Sequence, residues 1–163
     1  MGVSGSGKTT VGTLLARDLR WVFEDGDSFH PAANVQKMRN GIALTDEDRW
    51  PWLRAVAAWI DATRTAGGHG VIACSALKRS YRSVLMNGRS DVRLVYLKSD
   101  AETVGRRMSM RHGHFMPATL LPSQFETLEE PSPDEKPIIV SVDAEPQAIV
   151  LQVLAQLGIR PPL

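Results

Sequence analysis

At 163 residues, with 43% hydrophobic and 23% charged side chains, the chain has the size and composition of one globular domain with a sizeable core. Its net charge is +1 and its basic residues are scattered, apart from Arg106, Arg107 and Arg111, which argues against nucleic acid or an anionic membrane as partner. A single cysteine excludes an intramolecular disulfide and no apolar run is long enough to span a bilayer, so a soluble, cytoplasmic protein is expected.

The chain opens on Gly2-Val3-Ser4-Gly5-Ser6-Gly7-Lys8-Thr9, which matches G-x-x-x-x-G-K-[ST], the loop that wraps the phosphates of ATP or GTP. Glycines at 2, 5 and 7 let the backbone bend sharply and turn several N–H groups toward one anion. Lys8 brings a mobile point charge to the outer phosphates, and the Thr9 hydroxyl is a ligand for Mg²⁺. The segment from Thr10 to Leu19 reads as a helix with an apolar stripe at Val11, Leu14, Leu15 and Leu19, and its N-terminus adds partial positive charge beneath the phosphates. Residues 2–10 are therefore the predicted nucleotide contacts. Such a loop follows a buried strand of about five residues, yet only Met1 precedes it here. That predicts a start at an internal methionine and a truncated first strand.

Strand and helix then alternate. Trp21 to Glu24 reads as a short strand ending at Asp25, and Pro31 to Asn40 as a helix stopped by Gly41. Thr45 to Asp48 resembles a capping box opening a helix to about Thr65, with Leu53, Val56, Ala57 and Ile60 on one face and Gly67 and Gly68 after it. Val71 to Cys74 is a continuous apolar run, expected of a buried strand with a buried thiol. Helix is predicted from Ala76 to Asn87, strand from Val92 to Leu97, and a helix to about Met110 behind the S-x-x-E box Ser99 to Glu102. Residues 129–137 are a polar, proline-rich connector within the domain. The last strand, Ile138 to Val142, is followed by a helix from Pro146 to Leu157 and Gly158. The alternation implies a parallel sheet covered by helices on both faces, with ligands at the carboxyl ends of the strands.

Three polar clusters fall at those ends. Asp25-Gly26-Asp27 offers two carboxylates, one suited to Mg²⁺ and one to accept the proton of an attacking alcohol, although D-G is also a common turn former. Lys78 and Arg82 are spaced i, i+4 and would project from one helix face. Arg107 and Arg111, one turn apart, lead into Gly113-His114-Phe115, as in a mobile lid that delivers positive charge to a transferring phosphoryl group. No N-K-x-D or D-x-x-G segment accompanies the loop, so a small-molecule kinase fits better than a switch GTPase.

Taken together, these segments resemble a gluconokinase of the small phosphate-loop type, related to the shikimate and nucleoside-monophosphate kinases. The resemblance runs nearly end to end. It rests on residues 1–10, Asp25-Gly26-Asp27, His30-Pro31, Asn34, Lys37-Met38, residues 41–49, Pro51-Trp52-Leu53, residues 74–82, Arg107, residues 111–115 and residues 124–129. It implies a single three-layer α/β P-loop kinase domain over 1–163, with a mostly five-stranded central parallel sheet and a lid around 111–124. The implied activity is ATP-dependent phosphorylation of D-gluconate to 6-phospho-D-gluconate, with ATP and Mg²⁺ as cofactors, in a homodimer. Lys8, Asp27, Arg107 and Arg111 would carry catalysis. Thr9 and Asp25 would serve the metal. Asp27, His30, Arg49, Lys78, Arg82 and His114 would contact substrate, with Arg49 gripping its carboxylate by analogy with shikimate kinases. Ser75 follows Cys74 where a second Mg²⁺ carboxylate would ordinarily stand. A kinase for another hydroxy acid such as shikimate, and a non-catalytic ATP-binding regulator, are the alternative readings.

Overall fold

The computed structural model describes residues 1–109 and 117–160. Its elements alternate as α1 (Lys8–Leu19), β1 (Val22–Asp25), α2 (Ala32–Arg39), α3 (Asp46–Thr65), β2 (Gly70–Ala73), α4 (Arg79–Met86), β3 (Val95–Lys98), α5 (Ala101–Ser109), α6 (Leu121–Thr127), β4 (Ile138–Ser141) and α7 (Pro146–Leu157). Both strand pairs are parallel: β1 on β2, with Val22 opposite Gly70 and Asp25 opposite Ala73, and β3 on β4, with Val95 opposite Ile138.

The helices form two layers because each has one apolar stripe to bury. On one side Val11, Leu15 and Leu19 of α1 pack with Ile149, Val150, Val153 and Leu154 of α7 over Leu97 and Val140. On the other, Trp52, Leu53, Val56, Ala57 and Ile60 of α3 pack with Tyr81 and Leu85 of α4 against Cys74 and Ala76. Burial pushes the Cys74 thiol up to about 12, so it packs as an inert small apolar group.

The described residues give four strands in two parallel pairs. Residues 1 and 2 link β3 to the segment that follows β2: the Met1 amine donates to the Val95 carbonyl, Leu97 N–H donates to Met1 O at 3.0 Å, and Gly2 N–H donates to Ser75 O at 3.2 Å. The helix expected from Ala76 begins only at Arg79. Ala76 is left-handed at φ 46° and Lys78 is extended, so this stretch forms a turn at the end of β2. Asp100 caps α5 in place of the expected Ser99 box, accepting from Thr103 N–H at 2.7 Å and from its hydroxyl at 3.0 Å. The Thr45–Asp48 capping box of α3 is present in full.

Residues 111–116 of the predicted lid lie outside the described residues, Arg111 and His114 among them. Of its remainder, Ala118–Leu120 is a 3₁₀ turn leading into α6. The connector at 129–137 is not a loose link. Pro133–Glu135 is a 3₁₀ turn with its own capping box, Ser132 with Glu135.

Candidate active site

The loop 2–7 carries its glycines where geometry demands them. Gly5 has φ 78°, and a Cβ there would sit 2.8 Å from both Val104 and Met108 side chains of α5. Gly7, at φ 93°, is the N-cap of α1 and offers no side-chain cap, and no acidic residue stands in the first turn. No side-chain cap or carboxylate therefore competes with an anion at the start of α1. Lys8 Nζ donates to Val3 O at 2.9 Å, folded along the loop. Val3 and Ser6 are buried beneath it, while Thr10 is exposed on α1.

The two carboxylates at the end of β1 face different partners. Asp25 accepts from the Thr9 hydroxyl at 2.9 Å and, with its other oxygen, from Asp27 N–H at 3.0 Å. Gly26 between them is required by crowding, since a Cβ there would lie 2.5 Å from the Ala73 carbonyl of β2. The Gly26 carbonyl is in turn held by Trp52 Nε1–H at 2.7 Å. Asp27 Oδ1 lies 3.9 Å from His30 Nε2, and the His30 ring stacks on Trp52 with centroids 4.1 Å apart. Burial, with Arg49 nearby, lowers the His30 pKa to about 4, so the imidazole is neutral near pH 7. Its Nδ1 is buried without a hydrogen-bond partner among the described residues.

Arg49 and Tyr81 close one corner of the cleft, and the predicted substrate residue Lys78, with Asp46, bonds to this corner from outside the lining. Arg49, one turn into α3, donates to the Tyr81 hydroxyl at 2.8 Å. Lys78 donates to both oxygens of Asp46 at 2.9 and 3.0 Å. The Tyr81 hydroxyl donates to the same carboxylate. These bonds hold the Asp46 carboxyl below its usual range, the Tyr81 contact first, and hold the Lys78 ammonium above its own. One cleft is lined by the phosphate loop, Thr9, Asp25, Asp27, His30, Arg49, Trp52, Ser75 and Tyr81, with Leu120, Ser123 and Gln124 contributed by residues 118–127. Gln124 Oε1 accepts from Ser4 N–H at 2.6 Å, tying α6 to the loop. Among the described residues no cluster of three or more His, Cys, Asp or Glu stands ready for a metal, so a cation there would lean on Thr9, Asp25 and nucleotide phosphates.

Not every predicted residue reaches the cleft. The expectation that Lys78 and Arg82 share a helix face fails, because Lys78 precedes α4. Arg82 is buried: its Nε and Nη2 meet Glu135 at 2.6 and 3.0 Å, and Nη1 donates to the carbonyls of Ala76, Leu77 and Glu129. Arg107 Nη2 donates to Val142 O at 2.6 Å beyond β4, away from the cleft lining. Asn34 and Lys37 brace the start of α3, donating to the Asp48 carbonyl and carboxylate respectively. Tyr81, Trp52 and Gln124 were given no site role from sequence. Their signal was present in segments 51–53, 74–82 and 124–129, but only the fold brings them together.

Residues 4–157 match the family model described as shikimate kinase. The gluconokinase of Gluconobacter oxydans (strain 621H) is 47% identical over 154 residues, covering 94% of this chain and 86% of that protein. An unliganded crystal structure of a sugar kinase from Janibacter sp. HTCC2649 superposes with a TM-score of 0.92 at 48% identity, over 99% of this chain and 93% of that one. The crystal structure of a gluconokinase from Sinorhizobium meliloti 1021 does so with a TM-score of 0.83 at 42% identity, over 97% and 89%.

Proposed function

We propose, for a chain that belongs to the gluconokinase family within the shikimate kinase group, the ATP-dependent phosphorylation of D-gluconate to 6-phospho-D-gluconate. The observation that carries this reading is one continuous cleft in which contacts run from phosphate loop to cationic corner. Thr9 bonds Asp25, Asp25 bonds Asp27, Asp27 faces His30, and His30 lies within the field of Arg49. A donor phosphate at one end and an acid's carboxylate at the other leave an acceptor hydroxyl beside Asp27.

In this mechanism the amides of residues 2–10 and Lys8 hold the phosphates, and Thr9 and Asp25 are the residues that would hold Mg²⁺. Such an ion would supply neutralisation of phosphate charge. Asp27 accepts the proton of the C6 hydroxyl as its oxygen bonds to the γ-phosphorus and the bond from that phosphorus to the bridging oxygen of ADP breaks. Neutral His30 orients the acceptor by hydrogen bonding, and Arg49 grips the carboxylate, its fork suited to two parallel bonds. Arg111 and His114 are assigned to the lid around 111–124, and Arg107 to the end of α5 that leads into it. Arg82 is read as a strut rather than a substrate ligand. We read the two strand pairs as one sheet whose central place is taken by residues 1 and 2, and the molecule as a single domain that works as a cytoplasmic homodimer.

The test is coupled ADP release with gluconate against a panel of sugar acids that includes shikimate, over a no-acceptor baseline. Gluconate-dependent turnover well above every other acid is expected. Preference for shikimate, the acid named by the matching family model, would shift the substrate; ATP binding without transfer to any acid would leave a regulator.

A further inference from the structure

Arg49 lines the cleft together with Tyr81, and neither it nor Lys78, which is outside the lining, is an independent charge. Their cationic ends lie 5.5 and 5.6 Å from the centre of the Tyr81 ring, and Asp46 connects all three. Its carboxylate takes two contacts from Lys78 and one from the Tyr81 hydroxyl, and lies 3.8 Å from Arg49 Nη1. The direction of each proton is forced. An ionised carboxylate can only accept, so the Tyr81 O–H points at Asp46. The Tyr81 oxygen then presents a lone pair, which the Arg49 N–H takes at 2.8 Å.

Pinning one N–H of a guanidinium orients the whole plane, because its five donors form a rigid fork. Tyr81 is itself buried with Trp52 and Leu85, and Trp50 meets its ring edge-on at 5.5 Å. Lys78 is committed to Asp46, whereas Arg49 keeps donors beyond the one given to Tyr81.

We propose that Asp46 and Tyr81 are positioning residues for the acceptor's carboxylate, forming a relay from Arg49 through Tyr81 to Asp46 that locks the Arg49 fork toward the cleft. The proposal rests on reading Arg49 as the carboxylate-binding residue. It predicts that the relay governs recognition of the acid and leaves phosphoryl transfer alone.

The experiment compares wild type, Asp46→Asn and Tyr81→Phe by steady-state kinetics on D-gluconate and on D-glucitol, an uncharged polyol of the same length. Gluconate binding is measured in parallel by calorimetry. Each variant should raise KM and Kd for gluconate about tenfold, the size of one lost charge-assisted bond. The kcat, the KM for ATP and kcat/KM for glucitol should stay within about twofold, the resolution expected where no contact changes. The double variant should be no worse than the worse single one, since both break one relay. A melting temperature near that of wild type keeps misfolding out of the comparison. Tighter gluconate binding in Asp46→Asn would mean that Asp46 competes with the substrate, and would overturn the relay. Equal losses on glucitol and gluconate would do the same. If wild type handles gluconate normally and both variants match it, the relay alone is wrong. If wild type neither binds nor phosphorylates gluconate, the assigned reaction falls and the relay with it.

Discussion

Asp25 and Asp27 stand two residues apart and are turned to opposite tasks, Asp25 to Thr9 and Asp27 toward His30. Replacing Asp27 by Asn keeps the shape and removes the proton acceptor, so kcat should fall about 10²- to 10⁴-fold while KM for ATP barely moves. An unchanged kcat would remove Asp27 from the chemistry. His30 makes a separate prediction. Its folded pKa is about 4 against an ordinary 6.5. Between those values the unfolded chain takes up a proton that the folded chain refuses, so stability falls as pH drops from 6.5 to 4 and is unaffected above. Urea denaturation of wild type and His30→Asn should give a difference profile that is flat above pH 6.5. Below it the profile should slope against wild type by about 3 kcal/mol at most. At this scale the phosphate loop and the carboxylate pair were legible because their chemistry is written in contiguous residues. Tyr81 and Gln124 were not, since nothing local distinguishes a tyrosine that orients an arginine from one that fills a core.

The helices with a plain start signal and one apolar stripe, α1, α3 and α7, run where the sequence places them. The failure at α4 has a physical cause. Alanine is the best helix former, so Ala76 reads as helix, but the fold needs its φ of 46° to turn the chain from β2 into α4. That turn lets Arg82 reach inward to the Ala76 and Leu77 carbonyls and to Glu135. The Arg82 bonds, chiefly, hold the Glu135 carboxyl below its usual value, so the pair stabilises above the ordinary carboxylate pKa and loses this as pH falls through the lowered one. Glu135→Gln strands a guanidinium that is 2% exposed and should cost about 3 kcal/mol at pH 7, read as a lower melting temperature. KM for gluconate should be unchanged. A large rise in KM without loss of stability would return Arg82 to the substrate.

Across the whole molecule, the alternation of strand and helix was enough to foresee a parallel α/β layering with its site at the strand ends. The long-range ties were beyond it. Periodicity reports which face of an element is buried, not that Arg82 would meet Glu135 or that Ser4 would meet Gln124. This last bond, spanning 120 residues of chain, has a consequence for the order of events. Gln124 touches the nucleotide loop with one atom and lines the same cavity as Arg49 and Asp27. With the acceptor in that cavity as proposed, donor and acceptor would share one side chain, and such linkage is reciprocal. A non-hydrolysable ATP analogue should sharpen gluconate affinity roughly fivefold or more, gluconate should sharpen affinity for the analogue equally, and Gln124→Ala should silence both conversations at once.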